Sequence, residues 1–248
     1  MTKSALITGS SQGIGRAIAI KLAEEGYVVY ITYFTNKDKG QDTLDKILKA
    51  KGQGYLIKMN VASEKSVRKT INFIKKRTGH LNILVNNAGI EIPKVIEQLT
   101  FNQWRKVIDT KINGNFLCTK YAIPLLKNQD NANLIVIVSS LGQRPDYNYP
   151  AYCVANSGTI TFIKMMAQQL GKYNIRTNGV APGTTKTALW DKMGGADSKM
   201  WSNFAKNNPM KRISTPQDIA LAVSMLINDK SKYLNGNIIY INGGSHLI

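Results

Sequence analysis

The sequence has 248 residues, 43% of them hydrophobic, which is enough for one folded domain with a substantial core and excludes a disordered chain. Its 33 Lys and Arg residues outnumber its 15 Asp and Glu residues; the net charge of +18 favours acidic partners, but the basic residues are too dispersed to predict nucleic-acid binding. Two cysteines, Cys118 and Cys153, and two histidines, His80 and His246, predict neither a disulfide framework nor a metal site.

Short apolar segments alternate with amphipathic segments along the chain. The predicted strands are Ser4–Thr8, Val28–Tyr33, Tyr55–Met59, Ile83–Asn87, Leu134–Ser139, Ile175–Val180 and Asn237–Ile241. The predicted helices are Ile14–Glu25, Lys39–Lys51, Glu64–Arg77, Phe101–Lys127, Ala151–Leu170 and Pro216–Ile227. Short continuous apolar strands between helices are typical of a parallel sheet covered on both faces. The pattern therefore predicts one α/β domain over residues 1–248, with a doubly wound parallel sheet and helices on both faces.

The segment 184–212 interrupts this alternation. It is long, includes Gly194 and Gly195, and carries several large apolar side chains. These side chains are Trp190, Met193, Met200, Trp201 and Phe204. Segments of this length in a compact domain are often active-site lids, so we predict a mobile lid over an apolar substrate. The alternative is a helical hairpin that serves only packing or contacts between subunits.

The first strand runs into the turn TGSSQGIGR. Glycine residues between a strand and a helix let the backbone approach a phosphate, and the helix N-terminus supplies amide donors. The spacing G-x-x-x-G-x-G differs from the common dinucleotide fingerprint. The position after the first strand nevertheless predicts dinucleotide binding. The candidate residues of this turn are Gly9, Ser11, Gln12, Gly13, Ile14, Gly15 and Arg16.

Four motifs in a fixed order resemble the short-chain dehydrogenase/reductase family. They are the glycine turn, NNAG at Asn86–Gly89, a serine followed by a tyrosine, and VAPG at Val180–Gly183. The resemblance extends from Lys3 to the closing NIIYINGG, and within the family it is strongest to 3-oxoacyl-(acyl carrier protein) reductases. It implies a single Rossmann-like sheet of about seven strands, a nicotinamide cofactor and a homotetramer.

The end of the second strand bears on which cofactor is bound. An NAD site usually has an acidic residue there, whereas this chain has Tyr33. A carboxylate would repel a 2′-phosphate and a cation would attract it, so we expect NADP(H) in preference to NAD(H). The candidate contacts to that phosphate are Arg16, Thr35, Asn36 and Lys37. The resemblance adds Asn60, Val61, Asn87, Ala88, Gly89, Pro182, Gly183 and Thr187 as cofactor contacts.

Reduction of a carbonyl group requires a hydride at carbon and a proton at oxygen. The resemblance assigns the proton donor to Tyr152 and a hydrogen bond to the carbonyl oxygen to Ser139. Ser140 is the adjacent alternative, but Gly142 favours Ser139 because relatives often have a glycine three residues after that serine. The resemblance also assigns to Asn113 the water of a proton relay.

Asn156 departs from the family pattern, which has a lysine four residues after the tyrosine. That lysine holds the nicotinamide ribose and, as a cation, lowers the pKa of the tyrosine, whereas an amide carries no charge. Three interpretations stay open. In the first, the enzyme works on a specialised substrate, or another lysine, such as Lys164 or Lys186, supplies the charge. In the second, the chain is a catalytically silent NADP(H)-binding relative with a binding or scaffold role. In the third, the asparagine was introduced deliberately.

The resemblance suggests a 3-oxoacyl thioester on acyl carrier protein or coenzyme A as substrate, with a free ketone or a sugar as the alternative. Acyl carrier proteins are acidic, and the net charge of +18 would steer them to this chain. The N-terminus reads as a strand rather than a signal peptide, and no apolar run approaches the roughly 20 residues that span a bilayer. We therefore expect a cytoplasmic protein.

Overall fold

The sheet of this chain has seven parallel strands. The structure is a computed structural model and describes residues 2–187 and 197–247. The strands are β1 (Ser4–Ile7), β2 (Val28–Tyr33), β3 (Gln53–Lys58), β4 (Ile83–Asn86), β5 (Ala132–Ile137), β6 (Ile175–Pro182) and β7 (Ile238–Ile241). Their order in the sheet is β3-β2-β1-β4-β5-β6-β7, so β2 and β3 lie on one side of β1 and β4 to β7 lie on the other. The prediction of a doubly wound parallel sheet is therefore confirmed.

Helices cover both faces of the sheet. They are α1 (Gly13–Glu24), α2 (Lys37–Lys49), α3 (Glu64–Arg77), α4 (Phe101–Ile108), α5 (Gly114–Leu126), α6 (Pro150–Leu170), α7 (Ser198–Asn207) and α8 (Pro216–Ile227). Buried residues of α1, α2 and α8 form one core with the sheet, and buried residues of α3, α5 and α6 form another on the opposite face. A smaller cluster joins α4 to the first turns of α6.

The predicted helix Phe101–Lys127 is confirmed to within one residue, but it is not α-helical throughout. A π-helical turn, Asp109–Asn113, separates α4 from α5. In such a turn each amide bonds one residue further back, which bulges the backbone and changes which side chains face inward. Gly114 follows at a tight contact, because a Cβ there would lie 2.9 Å from Cγ2 of Val61. The other predicted strands and helices agree with the structure to within two residues at each end.

The predicted lid is only partly described. Residues 188–196, which include Trp190, Met193, Gly194 and Gly195, lie outside the described residues. On either side of them, Thr185 forms an isolated parallel bridge with Ser214, and their hydroxyl groups lie 2.7 Å apart. Helix α7 lies within the predicted lid range and places Phe204 in the wall of the main cavity.

Three further observations concern the described part of the chain. In residues 2–187 and 197–247 no helix is both long enough and apolar enough to cross a bilayer. The same residues contain no group of three or more His, Cys, Asp or Glu side chains arranged to hold a metal ion. Cys118 and Cys153 are buried free thiols.

Candidate active site

A cavity of about 1250 Å³ lies where the parallel strands end. The segments that follow β1 through β6 all contribute to its lining. Ligands of doubly wound sheets bind at this edge, close to the point where the strand order reverses. The cavity therefore extends from the glycine turn after β1 to the start of α6.

The glycine turn at one end of the cavity depends on the absence of side chains. Gly9 has a φ of +63°, a conformation that side chains disfavour. A Cβ on Gly15 would lie 2.5 Å from Nδ2 of Asn87 and 2.6 Å from the carbonyl oxygen of Gly9. Replacing Gly15 by any other residue would force these groups apart.

Asn87 fastens this turn to the segment after β4. Its Nδ2 donates to the carbonyl oxygens of Thr8, at 2.9 Å, and Gly9, at 3.1 Å. The hydroxyl of Thr8 accepts hydrogen bonds from the backbone amides of Asn87, at 2.9 Å, and Ala88, at 3.0 Å. These hydrogen bonds hold the glycine turn and the segment after β4 in place against each other at the base of the cavity.

Most of the predicted cofactor residues line the cavity. They are Gly9, Ser11, Gln12, Gly13, Ile14, Gly15, Tyr33, Thr35, Asn60, Val61, Asn87, Ala88, Gly89, Pro182, Gly183 and Thr187. Arg16 and Asn36 are not among the lining residues that the structure describes. The guanidinium of Arg16 pairs with Asp42 at 3.0 Å, and Asn36 caps α2 by accepting from the amide of Lys39. The guanidinium of Arg16 also donates to the carbonyl oxygen of Ser11, at 3.0 Å, so it lies next to the glycine turn. The roles of Arg16 and Asn36 at a 2′-phosphate stay predictions.

Tyr152 and Ser139 meet at the other end of the cavity. Tyr152 lies in the first turn of α6, and Ser139 follows β5. Burial raises the pKa of Tyr152 above its usual value of 10.0, and the carboxylate of Glu91 raises it further. Hydrogen bonds with the side chains of Ser139 and Asn156 lower it. A polarised tyrosine beside a serine is an arrangement that can protonate and hold an oxygen atom.

The two neighbouring serines face different partners. The hydroxyl of Ser140 donates to the carbonyl oxygen of Pro182, at 3.2 Å, and accepts from Nδ2 of Asn242, at 2.9 Å. Ser139, in contrast, interacts with Tyr152. This geometry supports Ser139 rather than Ser140 as the serine of the site.

Comparison with known proteins agrees with this geometry. The family profile described as enoyl-(acyl carrier protein) reductase matches residues 9–246. A 3-oxoacyl-(acyl carrier protein) reductase of Staphylococcus epidermidis is 35% identical over 248 residues, covering 100% of both chains. The chain is a short-chain dehydrogenase/reductase. Members of this family are oxidoreductases that act on CH–OH and C=O groups, and this activity class applies to the chain.

Solved structures show the same relationship. A dehydrogenase/reductase of Sinorhizobium meliloti superposes with a TM-score of 0.91 at 29% identity, covering 98% of this chain and 94% of its own. The ligand-free aldohexose dehydrogenase of Thermoplasma acidophilum superposes with a TM-score of 0.89 at 30% identity, covering 99% and 94%. The fold is therefore shared over almost the whole chain with oxidoreductases of different substrates.

Asn156 is buried and lies against Gly142. It has no exposed surface, its Nδ2 donates to the backbone carbonyl of Tyr152 at 2.9 Å, and its Oδ1 has no hydrogen-bond partner among the described residues. A Cβ on Gly142 would lie 3.0 Å from the Cβ of Asn156. Lys164 and Lys186, the other lysines considered from the sequence, are exposed and do not line the described part of the cavity.

Asn113 does not occupy the position that the resemblance assigned to it. It is exposed, and its Nδ2 donates to Asp109 at 2.8 Å within the π-helical turn. Residues two apart on a helix face different directions, so the side chain that lines the cavity is that of Lys111. A sequence signal existed: Val107, Lys111 and Asn115 are buried at intervals of four, the register of an inward-facing stripe.

Lys111 is a buried cation in the wall of this cavity. It is 3% exposed, and its Nζ donates to the backbone carbonyl of Ile137 at 2.5 Å. Burial lowers the pKa of Lys111 to about 8. Burial also raises the pKa of Glu91, another lining residue that the sequence analysis missed, to about 7. Both groups therefore change charge close to neutral pH.

Proposed function

We propose that this short-chain dehydrogenase/reductase uses NADPH to reduce the keto group of a 3-oxoacyl thioester carried on acyl carrier protein or coenzyme A. The observation that carries the proposal is the meeting of Tyr152 and Ser139 in a cavity that also contains the glycine turn. The similarity to the Staphylococcus epidermidis 3-oxoacyl-(acyl carrier protein) reductase over the full length of both chains supports the choice of substrate.

The glycine-turn end fits a nicotinamide dinucleotide. Helices α2, α3, α4, α7 and α8 begin with a side chain that caps their free amides. Gln12, at the start of α1, provides no such cap. The uncapped amides of α1 and the bare surface of Gly13 and Gly15 are suited to a pyrophosphate group. When bound, the cofactor supplies the hydride that reduces the carbonyl carbon.

The preference for NADPH rests on the distribution of carboxylates. Among the described residues, those that line the cavity with a carboxylate are Glu91 and Asp146. Both lie near the tyrosine end, where burial raises the pKa of Tyr149 and these two carboxylates raise it further. Tyr33 and Thr35 line the opposite end, at the close of β2, and Asp42 nearby is paired with Arg16. Among the described residues that line this end, a 2′-phosphate would therefore meet no carboxylate.

Tyr152 and Ser139 divide the chemistry at the carbonyl oxygen. As the carbon is reduced, negative charge develops on the oxygen, and the hydroxyl of Ser139 stabilises that charge by donating a hydrogen bond. Tyr152 gives its proton to the same oxygen, which completes the hydroxyl group and leaves a phenolate. The exposed Lys106 and Arg144 at the rim of the cavity would attract an acidic acyl carrier protein. A homotetramer and a cytoplasmic location remain predictions.

A free sugar is the second candidate substrate. The structural similarity to an aldohexose dehydrogenase and the lining carboxylates Glu91 and Asp146 favour it, because carboxylates accept hydrogen bonds from sugar hydroxyls.

The test is NADPH oxidation with acetoacetyl-coenzyme A, compared with a 2-enoyl thioester and with the oxidation of aldohexoses by NADP⁺. We expect the 3-oxo thioester to give the highest kcat/KM and NADPH to be preferred to NADH by at least about tenfold, a difference of 1.4 kcal/mol. Tyr152→Phe should lower kcat by about 10³-fold with NADPH binding retained. A higher kcat/KM for an aldohexose would replace the thioester assignment.

A further inference from the structure

The buried ammonium of Lys111 is costly for the fold. An ammonium taken out of water needs a compensating charge or a full set of acceptors. No carboxylate within the described residues forms an ion pair with Lys111, and its one hydrogen bond there goes to the carbonyl of Ile137. An apolar residue of the same size would avoid this cost. A lysine retained under such conditions in the wall of an active-site cavity points to a functional charge.

The position of Nζ relates Lys111 to the site. Ile137, whose carbonyl binds Nζ, precedes Ser139 by two residues of extended chain, a spacing of about 7 Å at the rise of a strand. Ser139 in turn contacts Tyr152. A Cβ added to Gly89, which also lines the cavity, would lie 3.7 Å from Nζ. The ammonium therefore faces the space that Tyr152 also lines.

The neighbour of Tyr152 on its own helix cannot supply charge. The amide of Asn156 is bound to the carbonyl of Tyr152. The basic side chains that line the described cavity, apart from His246, are Lys106, Lys111 and Arg144, and of these only Lys111 is buried. Among the described lining residues, the buried cation therefore lies in the π-helical turn rather than on α6, where the family pattern has its lysine.

We propose that Lys111 is the cation and proton source that serves Tyr152, so that lysine and amide have exchanged places between the π-helical turn and α6. This inference rests on the proposed carbonyl reduction. The O–H bond of Tyr152 breaks and its proton forms a new O–H bond on the substrate oxygen. The phenolate then takes a proton from the ammonium of Lys111, and the neutral amine regains one from solvent. Lys111 thus acts through Tyr152.

The acidities agree with this direction of transfer. Lys111, with a pKa of about 8, is a stronger acid than Tyr152, whose pKa lies above 10.0. The transfer from ammonium to phenolate is therefore downhill, and the ammonium is mostly charged at neutral pH. The other titratable groups that line the cavity and face Tyr152 and Lys111 are Glu91, Lys106, Arg144, Asp146, Tyr147, Tyr149 and His246, with Cys153 next to Tyr152.

The experiment compares four proteins with the unaltered chain. They are Lys111→Met, Asn156→Lys, the double variant Lys111→Asn/Asn156→Lys, and Lys75→Met as a matched control on the exposed surface of α3. We expect Lys111→Met to lower kcat for acetoacetyl-coenzyme A by about 10²–10³-fold, with KM and NADPH binding changed less than about threefold. The double variant should recover kcat to within about tenfold, and Lys75→Met should be unchanged.

The pH profile separates this role from a structural one. In the unaltered chain, kcat for reduction should fall as the pH rises through about 8, because Lys111 then loses the proton it donates. Lys111→Met should show a low rate with no such limb. A limb should return in the double variant, whose lysine again lies beside Tyr152. A structural lysine would change the rate without removing the limb.

A measurement without cofactor or substrate completes the test. In ¹⁵N NMR spectra of the lysine side chains, the signal missing from Lys111→Met should titrate near pH 8. A midpoint near the ordinary value of 10.5 would contradict the buried ammonium and overturn the proposal.

The remaining outcomes distinguish two failures. If Lys111→Met reduces the thioester as fast as the unaltered chain, or if the unaltered chain is inactive and Asn156→Lys is active, the role of Lys111 is wrong and carbonyl reduction stands. If none of the proteins acts on any carbonyl although all bind NADPH, carbonyl reduction is wrong and the role of Lys111 falls with it.

Discussion

The two ends of the cavity are built on different principles. At the glycine turn, Asn87 is held by backbone groups of Thr8 and Gly9, and the shape of the floor depends on the missing side chain of Gly15. At the tyrosine end, Tyr152 and Lys111 have pKa values shifted mainly by burial. The backbone contacts at the glycine turn cannot be made by residues from elsewhere in the chain. A charge acts over several ångströms, so a different residue can provide it.

The largest effect expected at the glycine turn follows from Gly15→Val. The new side chain would overlap Asn87 and the carbonyl of Gly9, so the turn must open and the amides of α1 move away from the pyrophosphate. We expect the Kd for NADPH to rise by about 10²-fold or more, measured by the fluorescence of the bound cofactor. Gly171→Ala is the control, because a Cβ there meets only an ordinary contact at 3.8 Å. Equal binding by Gly15→Val would show that the turn is not fixed by packing.

The folded chain should become more stable when the charge of Lys111, at the tyrosine end of the cavity, is removed. Lys111→Met replaces a buried ammonium by an apolar side chain of similar size. Because burial lowers the pKa of Lys111 from 10.5 to about 8, removing the charge should stabilise the fold by roughly 1–3 kcal/mol at pH 7. The measurement is urea denaturation of the cofactor-free chain at pH 7. Gain of stability together with loss of kcat would show that the lysine serves function at the expense of the fold. A destabilised Lys111→Met would instead assign a structural role to the lysine.

Glu91 should make the stability of the tyrosine end depend on pH. Its folded pKa of about 7 lies above the ordinary value of 4.5, so the folded chain holds an extra proton between these values and loses the associated stability as the pH rises through them. Glu91→Gln should therefore be more stable relative to the unaltered chain at pH 8 than at pH 5, by roughly 1–3 kcal/mol.

Thermal unfolding at both pH values measures the effect of Glu91→Gln. Glu97→Gln, at an exposed position, serves as the control and should show no such difference. An equal stability difference at pH 5 and pH 8 for Glu91→Gln would contradict the buried carboxyl.

The smallest effect is expected for Asn113→Ala. Asn113 is exposed and bonded to Asp109, so its removal should change kcat for the thioester by less than about threefold. The same steady-state assay as for Lys111→Met measures it. A loss of 10²-fold would restore the relay role that the resemblance assigned to Asn113 and would weaken the case for Lys111.

The glycine turn could be predicted from the sequence because only glycine satisfies its constraints. Gly9 adopts a positive φ and Gly15 admits no Cβ, so the residue type itself reports the backbone. The seven strands were equally accessible, since buried parallel strands appear as short apolar runs. These features depend on local chain chemistry, which the sequence displays.

The tyrosine end could not be predicted in the same way. Asn113 was assigned from the resemblance alone, although Lys111 shares the helical spacing of Val107 and Asn115. The π-helical turn around Asn113 and Lys111 has no sequence period of its own. The pairing of Arg16 with Asp42 of α2 was not predicted either, because a positive charge does not reveal its partner. Glu91 follows the NNAG motif without any pattern to mark it. The partners and surroundings of these charged side chains are set by tertiary contacts, which the local sequence does not display.

The placement of Lys111 also bears on what happens when positions 111 and 156 are changed one at a time. A single replacement leads either to a chain with asparagine at both positions or to one with lysine at both. The first intermediate has no ammonium beside the tyrosine. In the second, each ammonium makes the other release its proton more readily, but one remains charged. On the proposed role of Lys111, Lys111→Asn alone should therefore lose the reduction, whereas Asn156→Lys alone should keep it.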